Sequence, residues 1–459
     1  MPAISEKQIS NLMKSGYFDP EWYRARYPDV DATGMDPAVH YLRYGCRLNR
    51  DPGPAFSARF ARAAYRMRPE HEPIARLAWM RRKSDGPVKP DPRWILKAAS
   101  LVALAGDHAR AIDLARAHLP ADLAHTAHIL QANAAIARAD HAAWQDHVNG
   151  YLASYGIAPI RLEGSGKLFE RLGTAPLPPV SGGPLVSVIM PAWNAEKTVR
   201  NAARSILDQT WRNLELLIVD DCSTDATWSV LQGIAAENDR VKILRNTVNV
   251  GPYVSKNIAL TQARGEWITG HDADDWAHPE RLTNHLAAAR DRTLDASLSY
   301  MIRMQSSGNF GHIGAATGFF LDGAARKAMI SCLFKRSILD QKLGYWDSVR
   351  FGADSEMIAR AEKALGDRFA VLPHLAMICL DLETSLTNHP EHGVDKVKGI
   401  SPVRANYRDG WSAWLADKAT AEPVFLPFPQ GSRRYAAADE MAVNDKDIML
   451  NLESIPCEP

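Results

Sequence analysis

Leu185-Val186-Ser187-Val188-Ile189-Met190 carries no charge and runs into Pro191-Ala192-Trp193-Asn194. A second run, Leu214-Glu215-Leu216-Leu217-Ile218-Val219, ends in Asp220-Asp221-Cys222-Ser223-Thr224-Asp225. Short apolar runs closed by turn-forming residues read as buried strands. Between them, Val199, Ala203, Ile206 and Leu207 recur at helical spacing over residues 196–208. The alternation then repeats: a helix over 225–237, a strand at Val241-Lys242-Ile243-Leu244, a helix over 253–263, and a strand at Glu266-Trp267-Ile268-Thr269 that ends in His271-Asp272-Ala273-Asp274-Asp275. Strand and helix in regular succession predict an α/β domain with a mainly parallel sheet. In such sheets ligands sit beyond the carboxyl ends of the strands.

The residues at those ends are rich in acids. Carboxylates this dense repel one another unless a cation is shared, and hard oxygen donors suit Mg²⁺ or Mn²⁺. An Asp-x-Asp with open coordination positions is suited to a diphosphate whose charge builds during transfer.

The order of these segments resembles family 2 glycosyltransferases of the GT-A fold. The resemblance rests on Val186 to Asn194, Ser205-Ile206-Leu207-Asp208-Gln209-Thr210, Val219 to Asp225, Asn249-Val250-Gly251, Lys256-Asn257, Ala263 to Ile268, and Asp272-Ala273-Asp274-Asp275. Leu343-Gly344-Tyr345-Trp346-Asp347, Gly352-Ala353-Asp354-Ser355-Glu356 and Ser385-Leu386-Thr387 fit the acceptor-side half of the same family. It implies that Asp221 accepts the uracil N3–H of a UDP donor. Pro191, Ala192, Trp193 and Asn194 would shape the nucleotide cleft, with Glu196 in contact. Asp272 and Asp274 would face ribose and metal, and Asp274 and Asp275 would hold Mn²⁺ or Mg²⁺. Asp354 matches the general base of an inverting transfer. Ala353 stands where many members carry Glu, which leaves Glu356 as a rival for that role. Lys256 reads either as a surface residue or as a phosphate contact. His271, His312 and His389 read as structural or rim residues, the alternative being a histidine beyond Thr387 that completes a metal site. Trp276 and Trp346 read as core or acceptor platform.

Outward from this domain the composition changes. Residues 164–184 hold Gly164, Gly166, Gly173, Pro176, Pro178, Pro179, Gly182, Gly183 and Pro184, which predicts a linker able neither to propagate a helix nor to sit in a sheet. Gly164-Ser165-Gly166-Lys167 within it lacks a preceding apolar strand, the leading Gly and the Ser/Thr of a phosphate-binding loop. Residues 91–163 are Ala-rich, and Asp107-His108-Ala109 recurs as Asp140-His141-Ala142, a 33-residue spacing near that of tetratricopeptide repeats. Two such units predict a helical spacer with TPR-like helices. Residues 1–90 are an aromatic, basic module: Asp19-Pro20 and Asp36-Pro37 each predict a helix start, and Gly45 a helix end. Its pattern resembles a short module attached to bacterial surface-polysaccharide glycosyltransferases. The expected organisation is module 1–90, spacer 91–163, linker 164–184, GT-A domain 185–400 and C-terminal extension 401–459.

The 459 residues carry 54 Lys and Arg against 53 Asp and Glu, a net charge of +1 that argues against a nucleic-acid partner. Yet residues 1–90 hold 16 basic and 10 acidic residues, so the remainder is net acidic. The five cysteines, at 46, 222, 332, 379 and 457, form no Cys-x-x-Cys pair and read as reduced thiols. The start lacks the apolar core of a signal peptide, and Pro373 and His374 interrupt the longest apolar run, near 369–380. The expectation is a cytoplasmic enzyme, peripheral at most to the inner membrane, with membrane or protein contacts through residues 1–163. It would move a sugar from a nucleotide-diphosphate donor to a glycan or lipid-linked glycan acceptor. The rival readings are a non-catalytic glycan-binding scaffold, against which the intact acids weigh, and a nucleotidyltransferase, which would want a Gly-rich basic loop where Pro191-Ala192-Trp193-Asn194 stands.

Overall fold

The computed structural model describes residues 4–383, 385–386, 388–395, 399–417 and 424–454. Thr387 of the Ser385-Leu386-Thr387 stretch lies outside the described residues. Two compact units emerge: Met1–Ser154 together with His312–Ala325, and Tyr155–Gly311 together with Arg326–Pro459.

The first unit is helical. Asp19 caps the helix Pro20–Arg26 by accepting from the amides of Glu21 and Trp22, and Asp36 caps Pro37–His40 in the same way. Gly45 does not end a helix in the left-handed conformation. It closes a wide turn over Tyr41–Gly45, and its missing side chain leaves room for the Tyr23 hydroxyl, which a Cβ would strike. Tyr23, Phe18 and Tyr41 fill the core beside it. The 33-residue repeat corresponds to the helices His108–His118 and His141–Ala153, capped by Asp107 and Asp140, each packed on the helix before it (Ile95–Ala103 and Ala127–Ala137). Segment 312–325 joins this unit through buried Asp322, which accepts from Tyr151 Oη at 2.7 Å and from the amides of Ala324 and Ala325 at 2.8 Å.

The second unit begins with an antiparallel ribbon, β1 (Ile160–Leu162) against β2 (Leu172–Thr174). The linker expected over 164–184 is therefore partly ordered, because Leu168, Phe169 and Leu172 between its glycines are buried. Then follow β3 (Val186–Ala192), β4 (Leu214–Asp220), β5 (Val241–Arg245), β6 (Trp267–Gly270), β7 (Trp276–Ala277), β8 (Ala296–Met304), β9 (Arg326–Lys335) and β10 (Phe369–Leu380). They form one sheet in the order β5-β4-β3-β6-β9-β8-β10-β7. The pairs β5/β4, β4/β3, β3/β6 and β8/β10 are parallel, and the other three antiparallel. This is the mixed, mainly parallel α/β class expected from the strand-helix succession. Pro373 and His374 interrupt the β8/β10 register at a bulge, where a residue without an N–H does least harm.

Alternation along the strands builds two cores. Val186, Val188 and Met190 face the helix Val199–Leu207, and Ile189 with Leu217 and Val219 face the helix Gly251–Gln262. Strands covered on both faces need continuous apolar runs, which is why β3 and β4 are buried end to end.

His278 is held neutral on this sheet's flank. Burial pushes its pKa down to about 4, and its Nε2 lies 3.0 Å from the Ala158 carbonyl. The unfolded chain binds a proton below about pH 6.5 that the folded chain refuses until about pH 4, so this site's stability is complete above about 6.5 and is lost as the pH falls. A His278→Gln variant lacks that dependence. Its deficit relative to the native chain, read from urea unfolding, is expected to narrow by about 2 kcal/mol between about pH 6.5 and pH 5; a constant deficit would contradict the assignment.

Candidate active site at the carboxyl ends of the strands

The loops after β3 and β4 are fastened to each other. Asn194, at φ 49°, donates its backbone N–H to Ser223 Oγ at 2.9 Å and accepts the Thr224 amide on its side-chain oxygen at 2.9 Å. Glu196 accepts the Ala226 amide at 3.0 Å. These two expected nucleotide contacts thus spend their side chains fastening the loop after β3 to the loop after β4. Pro191 and Ala192 end β3 in buried positions. Trp193 projects from this loop, 58% exposed.

Asp221 is buried where the chain leaves β4. Its Oδ1 accepts from Asn246 Nδ2 at 2.7 Å and the Val250 amide at 3.0 Å, and its Oδ2 accepts the Gly251 amide at 2.7 Å. It therefore caps the helix Gly251–Gln262, whose first residue has the positive φ of 78° that glycine tolerates. Burial nevertheless raises its pKa. The implied bond to uracil would have to use the remaining lone pairs of a carboxylate already engaged three times.

After β6 the chain turns through the acidic loop. Asp272 and Asp274 are half-buried and Asp275 is buried, its Oδ1 accepting the Leu380 amide at 3.0 Å. Burial raises all three. For Asp272 the charge of Lys256 opposes and that of Asp354 adds to the rise; Asp274, with Asp272 close by, is pushed up to about 7. Fully buried Arg281 props the loop from beneath, donating to the Gly270 carbonyl at 2.7 Å and to Thr269 Oγ1 at 2.8 Å, and burial lowers its pKa to about 10. Arg303, whose Nη1 lies 3.6 Å from Asp381 Oδ1, also acts on the three acids. Among the described residues no three His, Cys, Asp or Glu side chains converge on a point where protein alone would hold a metal. The donor set is one of hard carboxylate oxygens, which suits Mg²⁺ or Mn²⁺ when a bound diphosphate completes the shell.

Asp354 lies in the first turn of the helix Ala353–Leu365. Lys256 Nζ sits 3.3 Å from its Oδ1, and the Tyr253 hydroxyl donates to its Oδ2 at 3.1 Å. Lys256 is 2% exposed and stands 4.7 Å from the Tyr253 ring centroid, so the surface reading of this lysine fails. Asp354 keeps 23% of its side chain in contact with solvent. Glu356, two residues on, has none. Both its oxygens face Arg360, which also donates to the carbonyls of Leu343, Val424 and Tyr345. Trp276 and Trp346 are in the core. His389 Nδ1 accepts from the Glu391 and His392 amides, and His312 belongs to the helical unit.

Sequence reasoning passed over Tyr253, Arg281 and Arg303. Tyr253 was within reach, lying three residues before Lys256 and so on the same helix face. Arg281 and Arg303 reach the acids only through the fold.

A mainly parallel sheet with an acidic loop beyond the carboxyl end of one strand and a solvent-reached carboxylate nearby is the arrangement in which α/β folds place their ligands. Residues 187–345 match the family model described as glycosyl transferase family 2. The UDP-Glc:alpha-D-GlcNAc-diphosphoundecaprenol beta-1,3-glucosyltransferase WfaP of Escherichia coli is 34% identical over 102 residues, 22% of this chain and 40% of that protein. The succinoglycan biosynthesis protein ExoO of Rhizobium meliloti is 28% identical over 218 residues, 44% of this chain and 62% of its own. Among solved structures, S. aureus TarS in complex with UDP-GlcNAc matches at 22% identity and a TM-score of 0.37, over 44% of this chain and 59% of that one. Across eight of the curated relatives it matches, the chain spans between 33% and 62% of their length.

Proposed function

We propose that the protein is an inverting, metal-dependent glycosyltransferase of the GT-A fold that moves a sugar from a nucleotide-diphosphate donor, a UDP-sugar, to a glycan or lipid-linked glycan acceptor in bacterial surface polysaccharide synthesis. The observation that carries the reading is the shared cation between the two halves of the site. Lys256 touches Asp354 and its charge acts on Asp272, so the acid on the acceptor side and the acidic loop on the donor side are neighbours. The names of WfaP and ExoO support the donor class and the biosynthetic setting.

In this reading Pro191, Ala192 and Trp193 line the nucleotide cleft, Asn194 and Glu196 hold its wall, and Asp221 fixes the helix that carries Lys256. Asp272 faces the ribose. Asp274 and Asp275 would hold Mn²⁺ or Mg²⁺, which supplies neutralisation of the leaving diphosphate. Asp354 takes the proton of the acceptor hydroxyl as its oxygen bonds to the anomeric carbon. The bond to the diphosphate breaks on the opposite face, and the nucleoside diphosphate leaves with inverted configuration at the sugar.

Calorimetric titration with UDP tests the donor half. Binding is expected with Mn²⁺ present and is expected to weaken by about tenfold or more with a chelator. Equal affinity for UDP, GDP and ADP would remove the uracil assignment, and affinity untouched by chelation would remove the metal.

A further inference from the structure

The helix Pro73–Lys83 of the first unit, PIARLAWMRRK, carries four basic residues and no acid. Pro73, Ile74 and Leu77 bury its inner side. On the outer side lie Ala75, Arg76, Trp79, Arg82 and Lys83, spaced as one helical face. Trp79 is 43% exposed, and the Arg76 guanidinium stands 4.1 Å from its ring centroid. Arg81 turns aside to donate to the Tyr17 hydroxyl at 3.2 Å.

Basic residues in a helix's last turn answer the partial negative charge of its carbonyl end, and that accounts in part for Arg82 and Lys83. It does not account for Arg76 in the first half of the helix, nor for a large indole left in water. An indole with one polar edge, flanked by cations on an exposed helix face, matches the headgroup region of an anionic bilayer.

We propose that this face docks the protein on an anionic lipid surface, with Arg76, Arg82 and Lys83 against lipid phosphates and Trp79 at the depth of the headgroups. Among the described residues no helix is long and apolar enough to cross a membrane, so contact of this kind is interfacial. The proposal is independent of the transferase reading.

The test is co-sedimentation of the full chain with vesicles of phosphatidylglycerol and phosphatidylcholine, against phosphatidylcholine alone. The native chain is expected to partition onto the anionic vesicles and to leave them as salt is raised. The double variant Arg82→Glu/Lys83→Glu is expected to lose about tenfold or more in partition. Trp79→Ala should lose the part of the binding that resists salt, and Arg82→Lys should keep native partition. Reversal of a highly exposed arginine on the other unit, Arg290→Glu, should leave binding unchanged. These positions are exposed, and an unaltered circular dichroism spectrum confirms folding. Equal partition onto both vesicle types, or native partition by the double variant, overturns the proposal. So does capture of the chain by dextran sulfate through the same residues while anionic vesicles fail to bind.

Discussion

Asp354→Asn is expected to lower sugar transfer by about 10²- to 10⁴-fold, the range over which a positioned general base contributes, while the chain stays folded. The substitution keeps the shape of the side chain and removes the basic oxygen. Tyr253 and Lys256 hold the two carboxylate oxygens at 3.1 and 3.3 Å, so the proposed base is oriented before any acceptor arrives. Lys256 keeps the Tyr253 ring and the field of Asp272 after the charge is gone, which limits the loss of stability. Nucleoside-diphosphate release with acceptor present gives the rate, and UDP affinity gives the control. Transfer within tenfold of native, with UDP affinity intact, would move the base elsewhere.

Glu356→Ala is expected to act on folding instead, costing about 3–5 kcal/mol, because it leaves a guanidinium buried without its counter-charge. Arg360 ties the helix Ala353–Leu365 to the backbone of Leu343, Tyr345 and Val424, and Glu356 is what makes its burial tolerable. Burial raises the Glu356 carboxyl and Arg360 opposes that rise. Chemical unfolding followed by circular dichroism reads the loss, with Glu356→Gln falling between native and Ala. A variant of native stability that no longer transfers sugar would return Glu356 to the role of base. The two variants together separate chemistry from support within a single turn of helix.

That separation was beyond the sequence. Asp354 and Glu356 stand two residues apart, so on a helix they point about 200° away from each other. One of them must face away from whatever the other faces. Which is which depends on the helix Gly251–Gln262 bringing Lys256 to one side and on the Leu343–Tyr345 and Val424 backbone lying on the other. No local pattern encodes those neighbours. Asp221 is a similar case. Its place beyond β4 was legible, but its occupation by the Val250 and Gly251 amides depends on a helix that starts some thirty residues later.

What the sequence by itself determined was the periodicity and its punctuation. Runs such as Val186 to Met190 and Leu214 to Val219, separated by helical spacing and closed by acids and turn residues, are enough to specify strands, their parallel sense and the edge at which acids gather, because each of these follows from contacts within or next to an element. The Asp caps at positions 19 and 36 belong to the same kind of knowledge, each made within three residues of chain. Tertiary structure alone decided the charges around the acidic loop, where Arg281 and Arg303 arrive from a later helix and strand, and it alone assigned residues 312–325 to the helical unit through Asp322. The physical reason is common to both. Burial sets the cost of a charge and the partner that answers it, and burial is fixed only when distant parts of the chain close over one another.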